Sequence, residues 1–393
     1  MKINLVSPQF YPAISYGGPV FSTLNTAREL VKQGNEIHVS TTNANWDTRL
    51  TTDTARSIEL EKSIFVHYYH DTFLNRVSIP LLKGLYNDIK KCDIVFLQYI
   101  FSISTPISLL LAKWHGKPVL LSPRGSLAKW ILKHGKRKNE WLKYFIKPFA
   151  KAIHWHATSQ MEQNDILNLF PTANIHILPN CLEINDYTKF NPLNRTEFLK
   201  KFIPSANIPA PSHIAVSMGR LQKKKGFDIL IKSFARVKAV FPDSILIIAG
   251  KDEGELLSLE ELIKSRELEN SIFFCGHIQG QDKVDFLNNA DVFALTSHNE
   301  NFGNVYAEAL ACGLPLVASK KTPWEEIEKY NCGRWVKKKP KNSGKAIIEI
   351  LKKGKNFYSQ NCKTYVQKFS GENVGKSFDQ IAKAIILEKN NRR

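Results

Sequence analysis

The sequence predicts an α/β protein built from two doubly wound, Rossmann-like domains, and three observations carry that prediction. Short β-rich apolar runs alternate with amphipathic segments, the pattern of a parallel sheet covered by helices on both faces. The alternation comes in two series, the second starting at Ile214. The length of 393 residues exceeds what one compact core holds and fits two domains of similar size.

Taken in order, Ile3 to Val6 reads as the first strand rather than a signal peptide, because the apolar stretch is short and no small-residue cleavage site follows. Phe21 to Gln33 reads as a helix closed by Gly34. Glu36 to Thr41, Ile64 to Tyr69, Ile94 to Leu97 and Val119 to Ser122 follow as strands, with Ile79 to Lys91 helical. The second series has strands at Ile214 to Met218, Ile245 to Ala249, Ile272 to Cys275, Val292 to Leu295 and Leu316 to Ala318. Between the series, Asn185 to Ser212 carries Pro192, Pro204, Pro209 and Pro211, which disfavour a long helix or a central strand, so it reads as the connection. Val374, Phe378, Ile381, Ala382, Ile385 and Ile386 recur at helical spacing near the C-terminus, and Lys389 to Arg393 reads as a frayed basic tail. The expected domains are residues 1–195, 196–370 and a terminal helix over 371–393, with ligands at the carboxyl ends of the strands.

Composition narrows the function classes. Lys and Arg number 55 against 36 Asp and Glu, so the formal charge is +19 and the partners to consider are anions: nucleic acid, an anionic membrane face or a phosphorylated small molecule. The lysines are dispersed and no helix-turn-helix, zinc-finger or RNP-like motif appears, which argues against nucleic acid. No apolar run approaches the roughly 20 residues that span a bilayer. The six cysteines are scattered without a Cys-x-x-Cys pair, as expected of small buried thiols in a reducing compartment, so a cytoplasmic location is expected.

Two constellations carry chemistry. Gly219-Arg220-Leu221-Gln222-Lys223-Lys224-Lys225-Gly226 follows a strand and precedes a helix faced by Phe227, Leu230, Phe234, Val237 and Phe241. Cations at a helix start oppose its dipole unless an anion shares the spot, so Arg220 and Lys225 are candidate phosphate ligands; a solvated basic turn is the alternative. The second runs from Ser297 to Pro315, with Glu300 in a polar loop and Glu308 on a helix that begins near Asn304 and ends at Gly313. Carboxylates there suit the neutral hydroxyls of a sugar or ribose, while backbone N–H groups around Phe302 to Asn304 face phosphates. Glu300 could equally be a solvated loop carboxylate, and Glu308 an ordinary carboxylate favoured by the helix dipole.

Together these residues resemble glycosyltransferase family 4, whose members are retaining enzymes of the GT-B fold. Glu300 and Glu308, with seven residues between them and Ala309-Leu310-Ala311-Cys312-Gly313-Leu314-Pro315 after them, resemble that family's Glu-x7-Glu signature. Gly219-Arg220-Leu221 to Lys225-Gly226 resembles its donor-diphosphate clamp, and Gly17-Gly18 its N-terminal glycine loop. Ser122-Pro123-Arg124-Gly125, His156-Ala157-Thr158-Ser159 and Leu178-Pro179-Asn180 extend the likeness over nearly the whole chain.

The resemblance implies roles. Arg220 and Lys225 would hold the diphosphate, Glu308 the ribose and Glu300 the transferred sugar. The backbone of Asn301, Phe302, Gly303, Asn304 and Val305 would meet the phosphates, and that around Ile278 the nucleobase. Gly17 and Gly18 would allow close backbone approach, and Arg124 would lie near the sugar, where many relatives carry His. Leu97-Gln98-Tyr99-Ile100-Phe101 stands where relatives often have a His-rich strand end, a departure on the acceptor side.

The implied reaction moves a hexose-type sugar from a nucleotide-diphosphate sugar to a glycan or lipid-linked acceptor in cell-surface polysaccharide or lipopolysaccharide assembly. No cofactor is implied, and with no Asp-x-Asp pair at a plausible position the transfer is expected to need no metal. Both glutamates seat hydroxyls, unlike the paired carboxylates of double-displacement glycosidases, so among the expected catalytic residues Glu300, Arg220 and Lys225 the role of Glu300 is positioning, with nucleophile as its alternative. The mixed basic and aromatic segment Trp130 to Lys151 suits the inner face of an anionic membrane, or equally a helix packing its aromatics inward. Competing readings are another GT-B enzyme, an epimerase or phosphorylase, and a basic nucleic-acid-binding protein.

Overall fold

Runs such as Ile245–Ala249, buried at all five positions, have apolar residues on both faces, and this two-sided burial makes the strands central and parallel. A computed structural model describes residues 1–73, 77–133, 135–206 and 208–391. The chain forms two units, Met1–Cys181 together with the stretch from Gly371, and Leu182–Ser370.

In the first unit the strands of the main sheet are β1 (Lys2–Val6), β2 (Glu36–Thr42), β3 (Ile58–Glu61), β4 (Ile64–Tyr69), β5 (Ile94–Gln98), β6 (Val119–Ser122), β7 (Ile153–Ala157) and β8 (Asn174–Ile177). They lie in the order β8-β7-β6-β5-β1-β2-β4-β3, all parallel except β3, which pairs antiparallel with β4. Helices α1 (Gly18–Lys32), α2 (Ile79–Lys91), α3 (Ser104–Trp114) and α4 (Gln160–Leu169) connect them. Helix α1 opens three residues ahead of the sequence expectation because Pro19 suits the first helical turn, where its missing N–H is no loss. The C-terminal helix Gly371–Asn391 buries Val374, Phe378, Ala382 and Ile385 in the core of this unit. Its Gly375 lets it approach α1, since a Cβ there would stand 2.7 Å from Glu29 Cβ. Arg392 and Arg393 of the expected tail lie outside the described residues.

The segment Trp130 to Lys151, read either as a membrane-facing stretch or as a helix packing its aromatics inward, holds two short helices, Lys129–Lys133 and Lys136–Trp141, and a π turn over Leu142–Ile146. Leu142 and Ile146 are buried and the Trp141 indole donates to Ile100 O at 2.9 Å, whereas Tyr144 and Phe145 are exposed. His134 of that segment lies outside the described residues.

The second unit holds β9 (Ile214–Met218), β10 (Ile245–Ala249), β11 (Ile272–Gly276), β12 (Val292–Leu295), β13 (Leu316–Ser319) and β14 (Gly333–Val336), in the order β11-β10-β9-β12-β13-β14 and wholly parallel. It begins at Leu182, ahead of the boundary expected at residue 195. The reason lies in the proline-rich stretch, which is tied down: Asn191 N and Nδ2 donate to Asp285 at 2.9 Å, and Arg195 Nη2 donates to both Asp291 oxygens at 2.8 Å. Between Pro192 and Pro204 an Asn194/Glu197 capping box starts α5 (Arg195–Phe202), which buries Phe198, Leu199 and Phe202. Among the described residues no helix is long and apolar enough to cross a membrane, and all six cysteines are free thiols.

His156, on β7, is 2% exposed, and its Nε2 donates to Leu178 O at 2.7 Å. Burial, aided by the Arg124 charge, pushes the imidazole down from 6.5 to about 3. Across that window the unfolded chain binds a proton the folded one refuses, so stability falls as pH falls, by at most about 1.4 kcal/mol per pH unit. His156→Gln, which keeps a donor, is expected to flatten the acid limb of a plot of unfolding midpoint against pH; an unchanged slope would show another group responsible.

Candidate active site

Strands β9 and β12 are neighbours in the sheet although 73 residues separate their closest ends, so the loops at their carboxyl ends lie side by side. After β9 the three lysines form a single 3-10 turn, Lys223–Lys225, and Gly226 follows with φ +66°. Helix α6 (Phe227–Lys238) therefore starts two residues after Lys225 rather than at it, and buries Phe227, Leu230, Ile231, Phe234 and Val237.

The two loops are stitched together: Thr296 Oγ1 donates to Gly226 O at 2.6 Å and His298 N to Lys224 O at 2.8 Å. A Cβ on Gly226 would stand 2.4 Å from Thr296 O. Gly226→Ala combines a left-handed backbone with that overlap, so it is expected to destabilise the second unit by at least about 2 kcal/mol in denaturant unfolding. Unchanged stability would mean the two loops are not clamped.

This stitching brings Lys225 Nζ to 2.7 Å from Glu300 Oε1, with the two side chains only 15% and 9% exposed. Ser297 Oγ donates to the same oxygen at 2.8 Å. Burial works to raise the Glu300 carboxyl, but the Lys225 charge and hydrogen bond, the Lys224 charge and the Ser297 bond outweigh it and hold the group below the usual carboxylate range. Glu300 is thus ionised at neutral pH. Lys224, whose own ammonium is pushed down by burial, stands near enough to feel Lys225, Arg220 and Glu300. Arg220 is half exposed and pairs with Glu253 at 2.8 Å.

Phe302 is buried against Trp324 and Phe369, and its carbonyl accepts the Trp324 indole N–H at 2.7 Å. Gly303, at φ +79°, then starts α7 (Asn304–Ala311), which no side chain caps. Asn301 sits in the loop ahead of it, Val305 is partly buried in its first turn, and Glu308 lies one turn on. Glu308 belongs to a different set of partners from Glu300: Lys283 Nζ lies 3.0 Å away and sits over the Tyr187 ring at 5.3 Å, and burial together with the Glu308 charge pushes the Tyr187 phenol well up. Ile278 follows Gly276 at the end of β11 and rests partly buried on the core.

The remaining expected residues share one place in the first unit. Gly17, at φ +75°, caps α1 with no side chain over the helix start, and Gly18 is the first helical residue. Arg124 reaches the same turn: Nη1 donates to Ser22 Oγ at 3.3 Å and Asn180 Oδ1 at 2.9 Å, Nη2 to Thr23 Oγ1 at 3.2 Å and Nε to Gln98 Oε1 at 2.6 Å. The next residue is held as well, since Gly125 N donates to Glu162 at 2.6 Å. Arg124 thus fixes the start of α1 against the strand ends.

Next to this hub is a cavity of about 330 Å³. Tyr16 and Ser126 line it beside the hub, and Gln9, Asp71, Tyr99, Phe101 and Trp141 supply aromatic faces and a carboxylate. Sequence reasoning missed Lys224, Ser297, Lys283, Tyr187 and most of this lining. Lys224 was visible inside the lysine run, whereas Tyr187 and Lys283 carry no local signal because their partner Glu308 is distant in sequence.

Comparison with known proteins also divides the chain in two. The family described as Glycosyltransferase Family 4 matches residues 16–186, and the family described as Glycosyl transferases group 1 matches residues 200–369. An uncharacterized glycosyltransferase of Methanocaldococcus jannaschii is 34% identical over 144 residues, covering 36% of this chain and 33% of that protein. The chain thus spans about a third of the length of such curated relatives. An O-antigen biosynthesis glycosyltransferase of Escherichia coli is 25% identical over 219 residues, 56% of this chain and 58% of that one. Among solved structures, HepE of Anabaena in complex with UDP superposes with a TM-score of 0.75 at 19% identity, covering 98% of this chain and all of that one. Two Rossmann-like domains of the GT-B type are therefore the fold.

Proposed function

Because the chain belongs to the family 4 glycosyltransferases, with a group 1 transferase domain in its second half, we propose that it moves a hexose from a nucleotide-diphosphate sugar to a glycan or lipid-linked acceptor, with retention at the anomeric carbon. The observation that carries this reading is the buried Lys225–Glu300 pair at the carboxyl end of the second sheet. A lone buried carboxylate would take up a proton, but one held ionised beside lysines accepts hydrogen bonds from sugar hydroxyls. The same lysines, with Arg220, balance the diphosphate charge that grows as the sugar–phosphate bond breaks.

In this reading Arg220 and Lys225 hold the diphosphate and Glu300 the sugar hydroxyls, while Glu308, oriented by Lys283, holds the ribose hydroxyls. In this reading the backbone from Asn301 to Val305 at the start of α7 meets a phosphate, and Gly17 and Gly18, with no side chain over the start of α1, allow close backbone approach. The loop at Ile278 meets the nucleobase. Arg124 acts as a positioning residue for the start of α1 rather than as a direct sugar ligand. Fixed cations already stand where charge develops, so transfer proceeds without a metal or other cofactor. The departing phosphate oxygen takes the acceptor proton, and no enzyme nucleophile is formed. The acceptor enters the first unit at the aromatic cavity. The setting is surface polysaccharide or lipopolysaccharide assembly in the cytoplasm, at the inner face of the membrane, which fits the O-antigen role of the E. coli relative.

A thermal-shift panel of nucleotide diphosphates and nucleotide-sugars tests the donor half. A ligand at about 100 times its Kd stabilises by about 2.7 kcal/mol and is expected to raise the melting point by about 5 °C or more. If none of the panel shifts the transition, the donor reading fails. Product formed with the ranked donor is expected to keep the donor's anomeric configuration by NMR; inversion would sink retention.

A further inference from the structure

Helices α2 and α3 pack side by side in the first unit, and their outward faces are unusual for a water-exposed surface. Along α3 the residues at one-turn spacing are Ile103, just before the helix, then Ile107, Leu110 and Trp114. Ile103 is 37%, Leu110 59% and Trp114 80% exposed. The matching stripe on α2 is Ile79, Lys83, Tyr86 and Lys90, all exposed. Tyr86 meets His115 edge-on at 4.8 Å, which holds the two stripes together. Lys113 and Lys117 flank Trp114.

The charge on this face has one sign. Helix α3 contains no acidic residue. The single carboxylate of α2, Asp88, is turned to the sheet, where Ser40 Oγ donates to it at 2.7 Å and Tyr69 OH at 2.8 Å. An exposed Trp and aliphatic residues ringed by lysines suit a layer that is apolar inside and anionic at its surface: the apolar side chains enter the acyl boundary and the ammonium groups stay at the headgroups.

The face also leads somewhere. Ile103 is both the first residue of the apolar stripe and part of the lining of the aromatic cavity, and Ser78, Leu81 and Leu82 of the α2 start line it too. We propose that the α2–α3 face docks on an anionic lipid bilayer, so that the cavity mouth opens at the membrane surface and admits the polar head of a lipid-anchored acceptor. This deepens the acceptor side of the reading above and moves the membrane contact from the 130–151 segment to α2 and α3.

Sedimentation of the full chain with phosphatidylglycerol-containing and pure phosphatidylcholine vesicles, without nucleotide-sugar, tests it. Binding is expected to the anionic vesicles at low salt and to weaken at about 1 M salt, where screening shortens to about 3 Å. Leu110→Glu combined with Trp114→Glu, both at exposed positions, is expected to lower the affinity about tenfold or more, and Lys83→Glu with Lys90→Glu to act in the same direction. Tyr144→Ser with Phe145→Ser is expected to leave binding within about twofold. The proposal is overturned if the wild type ignores anionic vesicles, if the Leu110/Trp114 variant binds like wild type, or if the Tyr144/Phe145 variant alone loses binding. A nucleotide thermal shift in the Leu110/Trp114 variant equal to wild type shows the donor half intact, so failure of the docking face and failure of the transferase reading are told apart.

Discussion

Glu300→Gln is expected to lower sugar transfer by about 10²–10³-fold while nucleotide-diphosphate binding is kept or tightened, the size of effect seen when one preorganised stabilising group is removed. The amide keeps the shape of the carboxylate and can still accept from Ser297 Oγ, which lies 2.8 Å from Oε1 in the native chain. What it loses is the charge that holds Lys225 at 2.7 Å. Lys225 is then released toward a phosphate, so affinity for a nucleotide diphosphate should not fall even as turnover collapses. Initial rates with the ranked donor, beside thermal shifts with the diphosphate alone, separate the two effects. Turnover near the wild-type level would remove Glu300 from the sugar site. The direction with pH follows from the lowered carboxyl: the ionised form is fully present above the ordinary carboxylate range, and its contribution to stability is lost only as pH falls through the lower folded value.

Lys225→Met is expected to harm both stability and donor binding. Removing one member of a buried ion pair leaves the other charge without its counter-ion, at a cost of about 3–5 kcal/mol. Lys224 remains near Glu300 and supplies part of the missing charge, which places the effect at the lower end. Combining Lys225→Met with Glu300→Gln removes both charges and is expected to restore most of the lost stability but none of the transfer. Chemical-denaturation midpoints for the four proteins of this cycle measure the coupling directly. If the single Lys225 variant is as stable as wild type, the pair is a surface contact and not the electrostatic centre of the site.

How far the fold could be read in advance depended on where each strand lies in its sheet. Central strands such as Ile214–Met218 and Val292–Leu295 are buried on both faces and stand out as continuous apolar runs. The strands that went unread lie at or beside an edge. Gly333–Val336 closes one side of the second sheet, and Asn174–Ile177 and Ile58–Glu61 close the two sides of the first, mixing Arg, Asn, His and Glu with apolar residues. Helix Arg195–Phe202 was hidden because the prolines on either side suggested irregular chain, although Asn194 and Glu197 spell a capping box. At the site, the Glu300 and Glu308 spacing was legible because it lies within one loop and one helix. Their different partners were not: Lys225 is 75 residues from Glu300, Lys283 is 25 from Glu308, and Tyr187 comes from the stretch read as a linker.

From the amino acids alone came the two α/β series, the lysine turn, the paired glutamates and the terminal helix, because each is written in a periodicity or spacing that a few turns of chain contain. Only the folded sheet decided that Lys225 neutralises Glu300, that Arg124 spends its hydrogen bonds on Gln98, Ser22, Thr23 and Asn180, and that Leu110 and Trp114 face outward. The reason is the strand order. Parallel pairing makes β9 and β12 neighbours across a long crossover, and which loops then share a dielectric and a set of charges is a property of that adjacency, not of any local stretch of chain.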